Sequence, residues 1–267
     1  MQLSALYVYP IKSCAALVLD RVDVEPRGLA HDRRWMIVDS DGRFLTGRQL
    51  PRLVLLCATP TSSGLRLHAP TVHPIEIARP TADAVRRRVT VWGDEVDAPD
   101  AGDAVAHWLS AWLGRTVRLV FMDAPAARAV SPDHAQSGDE VSFADGYPLL
   151  AISQASLDGL NVRLDAPLPM LRFRPNLVIA DTSAHAEDAW RRVRVGDVEF
   201  VAVKVCVRCV FTTVDPEGGD FDPRGEPLRT LKTYRRSERG ITFGMNLIAR
   251  GIGTLRIGDA VTVLEAR

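Results

Sequence analysis

Short runs that alternate apolar and polar residues, each closed by a turn residue, recur at roughly ten-residue spacing through the first part of this chain. Residues 3–9 alternate and stop at Pro10, and residues 17–24 alternate again. Residues 34–38 lead into the turn Ser40-Asp41-Gly42 and on to Phe44-Leu45-Thr46. Residues 53–58, 64–68, 75–78 and 87–91 add further strands. A period of two gives each strand two different faces, and its backbone needs neighbouring strands. Such a succession restricts the chain to a barrel or sandwich. One segment departs from it: Val105, Trp108, Leu109 and Trp112 are spaced by three and four, which predicts a helix over 103–113 with Asp103 as its cap.

Residues 123–140 are rich in Ala, Pro and Asp without periodicity, as in a linker or mobile loop. Beyond them, 149–152 reads as a strand, and Ser153 caps a helix with apolar positions Ala155, Leu157, Leu160 and Leu164. Strands are expected at 176–180, 192–195, 198–204 and 210–214, with Gly196-Asp197 turning between two of them. Residues 227–235 suit a short helix, and 242–246 and 258–261 suit closing strands. The expected class is mainly β with flanking helices (α+β).

Composition excludes several functions. Lys+Arg and Asp+Glu are both 33, so no net field favours nucleic acid or an anionic membrane. No stretch approaches the ~20 apolar residues of a spanning helix. The start of the chain lacks the basic and apolar regions of a signal peptide, which leads to the expectation of a cytoplasmic protein. No Gly-x-Gly-x-x-Gly precedes a helix, so a dinucleotide fold has no support.

Chemistry concentrates at Lys204-Val205-Cys206-Val207-Arg208-Cys209, followed by Thr212-Thr213-Val214-Asp215-Pro216. Two cysteines flank an arginine at the end of a strand-like run. A thiolate so placed can be a nucleophile, a redox partner or a soft metal ligand. Structural zinc would want a second cysteine pair or nearby histidines; the six histidines are scattered. A thioredoxin-type pair would open a helix, whereas β-branched residues lie on both sides here. Cys14 and Cys57 fall in or beside strand patterns and read as small core residues. Four basic or polar clusters sit at strand ends: Pro10-Ile11-Lys12-Ser13, His31-Asp32-Arg33-Arg34-Trp35, Thr46-Gly47-Arg48-Gln49 and Arg172-Phe173-Arg174-Pro175-Asn176. Guanidinium, ammonium and hydroxyl groups converging from separate strands suit an anionic, phosphate-bearing ligand.

In this order the clusters resemble a known family. Tyr9-Pro10-Ile11-Lys12-Ser13, Asp32-Arg33-Arg34-Trp35, Thr46-Gly47-Arg48-Gln49, Phe173-Arg174-Pro175-Asn176, Cys206 to Pro216 and Glu226-Pro227-Leu228-Arg229 are similar to proteins with an N-terminal MOSC β-barrel region followed by a MOSC domain. Within that group the chain resembles the mitochondrial amidoxime-reducing components and their bacterial relatives. The resemblance implies a MOSC-type N-terminal β-barrel region over residues 1–122, packed on a MOSC β-barrel domain over 123–267. It implies a molybdenum cofactor, Mo-molybdopterin, with Cys209 on the metal. Lys12, Ser13, Arg33, Arg174, Asn176 and Arg208 are then expected to hold the pterin and its phosphate. A further cofactor segment falls on Asp145-Gly146-Tyr147, where relatives tend to have small hydroxyl residues, and Tyr147 is counted with the site. The implied activity is reduction of N-hydroxylated compounds with electrons from a separate ferredoxin, cytochrome b5-like protein or flavin reductase. The alternatives are a sulfur carrier or cofactor-handling protein, with a persulfide on Cys209, and a cofactor storage module.

Overall fold

The computed structural model describes residues 1–131 and 133–267. The largest sheet among them has nine strands. Its order runs Val261–Ala266, Trp190–Val195, Val198–Val207, Gly240–Ala249, Leu149–Ser153, Leu177–Ala180, Gln2–Val8, Leu17–Leu19, with Arg236–Ser237 pairing on Gly240–Ala249. The start of the chain is thus built into the sheet of its second half. Gln2–Val8 lies antiparallel to Leu177–Ala180, and Leu149–Ser153 lies parallel to that same strand across a helical connection. The rest of the first half forms small sheets. Arg86–Val91 pairs with Asp94–Pro99, Trp35–Val38 with Arg118–Phe121, and Cys57–Pro60, Gly64–His68 and Ile75–Ala78 form a three-stranded meander. The mainly β, α+β class expected from the sequence is the class observed.

Side-chain alternation explains the layering. On Gln2–Val8, Leu3, Leu6 and Val8 enter one core with Phe200, Leu247 and Leu255. Leu3 and Leu6 are three apart, which strict alternation would put on opposite faces. A register irregularity between Leu3 and Ala5 brings them to the same side. Ala5 and Tyr7 then face a second core around Phe173, Val178 and Phe243. A third core, under the first-half meander, gathers Trp35, Leu53, Leu67, Leu109 and Trp112.

Several expected elements differ, each for a local reason. Residues 53–58 are not one strand. Pro51, with its fixed φ, starts a 3-10 turn Pro51–Leu55, and the strand begins only at Cys57. Residues 210–214 are a 3-10 turn, because Thr212 and Thr213 hydroxyls donate back to the carbonyls of Cys209 and Val210 (2.9 and 2.8 Å). The run 17–24 divides into Leu17–Leu19 and Arg21–Glu25. Asp103 does not cap its helix. Gly102 holds that position, and the Asp103 carboxylate pairs with Arg118 at 2.6 Å. Cys57 is exposed rather than in the core, while Cys14 is fully buried.

The stretch 123–140 is irregular yet anchored, which corrects its reading as a mobile loop; Pro132, within it, lies outside the described residues. The buried Arg128 guanidinium donates to the carbonyls of Ser142, Ala144 and Asp145 (3.2, 2.5 and 2.9 Å) and pairs with Asp94 at 2.6 Å.

Ser153 caps the Gln154–Asn161 helix as expected, accepting from the Ser156 amide at 3.2 Å. Its hydroxyl also meets Ser156 Oγ at 2.6 Å, and Ser156 Oγ donates to the fully buried Glu187 at 2.9 Å. Ser153→Ala should cost about 1–2 kcal/mol in urea unfolding, since both the cap and part of a buried network are lost. A change under about 0.5 kcal/mol would contradict this.

Candidate functional site

The cysteine segment is aimed by two irregularities in the strand Val198–Val207. Val198, Phe200 and Ala202 alternate into the first core. The register then shifts between Ala202 and Lys204 and again between Val205 and Val207. After the first shift the odd-numbered Val205 takes the first-core side, and Cys206 packs against the second core. Without the shift Cys206 would follow Ala202 into the first core. Bulges re-aim side chains in this way. Arg208 N continues the pairing to Ile241 O at 2.7 Å, and Cys209 stands in extended conformation at the head of the Val210–Thr213 turn.

Opposite the cysteines, three loop residues adopt left-handed backbone without being glycine: Ser13 (φ 66°), Arg33 (φ 47°) and Arg174 (φ 56°). Strain of this kind persists only where surrounding contacts impose it, and here they do. Asp32, buried, accepts from Tyr9 N at 2.8 Å and pairs with Arg33 at 2.5 Å. Burial pushes the Asp32 carboxyl up, and the Arg33 charge opposes that. Arg33 also donates to Asn176 Oδ1 at 3.0 Å and lies 4.3 Å from the Tyr9 ring.

Arg174 is held differently. Its guanidinium donates to Cys14 O at 2.7 Å and sits 4.1 Å from the Tyr9 ring and 5.2 Å from the Phe211 ring. Nη2 is buried without a partner. Burial lowers this group to about 10, so the structure bears the cost of an uncompensated cation. Arg172 Nε and Arg208 Nε are likewise buried and unpartnered. Arg208 Nη1 donates to Cys206 Sγ at 3.0 Å and Nη2 to Phe173 O at 2.7 Å. The guanidinium therefore serves Cys206. Cys209 is a free, half-buried thiol.

Lys12 is buried and donates to Phe143 O at 2.7 Å and Asp145 Oδ1 at 2.5 Å. Burial pushes its ammonium down, opposed by Asp145. Asp145 keeps 67% of its side chain exposed. Desolvation works against its charged form, but Lys12, Arg48 and Arg33 outweigh it and hold the carboxyl well below the usual range. Burial pushes the Cys14 thiol up to about 12, which makes it inert.

Lys12, Arg33, Asp145, Arg174, Cys206, Arg208 and Cys209 line one cleft with an enclosed volume of about 140 Å³. All eight residues expected at the site line it: Lys12, Ser13, Arg33, Tyr147, Arg174, Asn176, Arg208 and Cys209. Asp145 and Gly146, of the expected cofactor segment, line it too, and so do Thr46, Arg48, Arg172, Phe211 and Asn246, which the sequence did not assign to it. Arg48 and Arg172 belong to clusters recognised as suited to anions, so their charge was visible and their placement was not. Asn246 has no such signal. Among the described residues no group of three or more His, Cys, Asp or Glu could hold a metal ion.

Comparison with known proteins gives the family. Residues 1–116 match the MOSC N-terminal beta barrel domain and 138–262 the MOSC domain. The chain is 36% identical to mitochondrial amidoxime-reducing component 1 of Homo sapiens over 97% of its own length and 82% of the relative's. It is 37% identical to component 2 of Rattus norvegicus (97% and 82%) and to component 1 of Mus musculus (97% and 81%). The chain belongs to the amidoxime-reducing component family of MOSC proteins. The expectation of a cytoplasmic protein is overturned: these relatives are named as mitochondrial components. No helix among the described residues is long and apolar enough to cross a membrane.

The Thr46-Gly47-Arg48-Gln49 segment has a steric role in this chain. A Cβ on Gly47 would lie 2.0 Å from Phe211 Cε2, so the ring that flanks Arg174 rests on a residue with no side chain. Gly47→Ala should displace Phe211 and cost about 1–3 kcal/mol in urea unfolding. A variant as stable as the parent, with Phe211 unmoved in its crystal structure, would refute that role.

Proposed function

We propose that the cleft binds the molybdenum cofactor and that this chain is an oxidoreductase acting on N-hydroxylated compounds such as amidoximes, hydroxylamines and N-hydroxylated base analogues. Electrons come from a separate protein. The observation that carries this reading is the pairing, on one cleft, of a free thiol at Cys209 with a buried Arg174 guanidinium that no carboxylate neutralises. A phosphate-bearing cofactor with a soft metal meets both needs at once. The names of the curated relatives support the same reading.

The residues present fit such a group. Arg174 has a free N–H for a phosphate oxygen, and Arg172 and Arg208 each have one more buried N–H to offer. Cys209 suits the metal as a thiolate. The Arg208 guanidinium on Cys206 keeps that second sulfur engaged, so the two cysteines have different roles. Asn176 and Arg33 fix the wall on which Arg174 stands. Lys12 adds a buried cation at the same wall, with Asp145 as its counter-ion at the mouth. The bound cofactor supplies the two-electron chemistry that removes oxygen from nitrogen, and the protein supplies orientation and charge.

Dithionite-reduced viologen should drive reduction of benzamidoxime by the purified protein. NADH alone should not, because the sequence offers no dinucleotide fingerprint. Cys209→Ser should abolish the activity, while Cys206→Ser should lower it only about tenfold, as for a residue that supports a ligand. Equal and complete loss in both variants would point to a disulfide couple. Bound molybdenum without any turnover would point to a cofactor-handling protein.

A further inference from the structure

A second groove opens along the cysteine-bearing strand and is lined by Lys204, Arg235, Arg236, Arg239 and Arg267. Asp188 and Glu238 are the carboxylates in this lining, and Asp188 is taken by Arg235 at 2.5 Å. The chain as a whole is balanced at 33 basic and 33 acidic side chains, so this is a local excess of positive charge. Arg236 is exposed on the short strand Arg236–Ser237, and Arg239 is exposed on the turn between it and Gly240–Ala249. Val207 lines both this groove and the cleft that contains Cys209. It is 41% exposed, and Val210, just past Cys209, is 46% exposed. A small apolar spot beside a ring of cations suits a transient, salt-sensitive contact.

We propose that this groove is the docking face for an acidic one-electron carrier protein, which seats over Val207 and passes electrons to the neighbouring cleft. This rests on the reductase reading above and names its partner's chemistry. Per turnover, two reduced carriers are each oxidised once. The substrate gains two electrons and two solvent protons, its N–O bond breaks, and the oxygen leaves as water. Opposite charge speeds such encounters by about 10- to 1,000-fold at low salt, and a Debye length of about 10 Å at 0.1 M makes the effect fade as salt rises.

The test uses the double variant Arg236→Glu, Arg239→Glu of the cofactor-loaded protein. Two probes serve as carriers: a plant-type [2Fe–2S] ferredoxin and a soluble cytochrome b5, each with its own reductase. At low salt the variant should lose about tenfold or more in kcat/KM for the carrier, and the difference should shrink as NaCl is added. Viologen-driven benzamidoxime reduction should be unchanged. The Kd of the carrier, by calorimetry, should weaken in parallel. Unchanged carrier kcat/KM and Kd in the variant would overturn the proposal. So would carrier-driven rates in the parent that ignore salt, or no carrier-driven turnover in a parent active with viologen. Absence of viologen turnover in the parent would instead overturn the reductase reading, leaving the calorimetric Kd to decide the docking face.

Discussion

The side-chain amide of Asn176 holds the molecule's two halves in register at the site. It is fully buried. Its Nδ2 donates to Tyr7 O at 3.1 Å, and its Oδ1 accepts from Leu150 N at 3.2 Å and from Arg33 Nη1 at 3.0 Å. Its backbone adds a bond from Tyr7 N at 2.9 Å and one to Leu150 O at 2.8 Å. One residue therefore joins the exit of the first strand, the start of Leu149–Ser153 and the Asp32-Arg33 loop. A buried amide with each group satisfied specifies a single arrangement, because any slip leaves polar atoms unpaired in a low-dielectric interior. The Pro10–Ser13 loop follows the first of these strands, and Arg174 lies two residues before Asn176 at the entry to Leu177–Ala180.

On that frame the cleft gathers cations unevenly. Arg33 has Asp32, and Lys12 has Asp145. Arg174 has two aromatic rings and a carbonyl. Rings attract a guanidinium without neutralising it, so its charge remains available to an anion. Burial strengthens that attraction and makes a guanidinium without a carboxylate partner costly. The thiol is prepared by another route. Two bulges turn the end of a long strand, Arg208 engages Cys206, and Cys209 is left at the head of a turn whose Thr212 satisfies its carbonyl.

Much of this was legible in the sequence for definable reasons. The strand class followed from alternation, and the Ser153 cap from its position before an apolar periodic run. The residues of the cleft were visible as clusters at strand ends, since charge and thiol chemistry do not depend on register. Geometry of the kind that depends on single hydrogen bonds was not visible. Alternation along 198–207 gives no sign of the shift at Ala202 that re-aims Cys206. The β-branched residues at 212–214 read as a strand because threonine back-bonding to Cys209 and Val210 leaves no compositional trace. Asp94–Pro99 and Gly253–Arg256 were hidden by charged or glycine positions on half-buried strands. The contact between Phe211 and Gly47 joins distant segments that no local pattern connects.

The central claim is that the uncompensated cation at Arg174 exists for the phosphate of a molybdenum cofactor. Molybdenum and pterin content per chain, measured on the purified parent and on Arg174→Ala, tests it most directly. A charge-assisted hydrogen bond is worth about 1.5–3 kcal/mol. The parent should therefore carry close to one of each, and the variant a fraction of that, with metal and pterin falling together. Equal content in both proteins, or a parent that takes up neither when made in a host that synthesises the cofactor, would contradict the account.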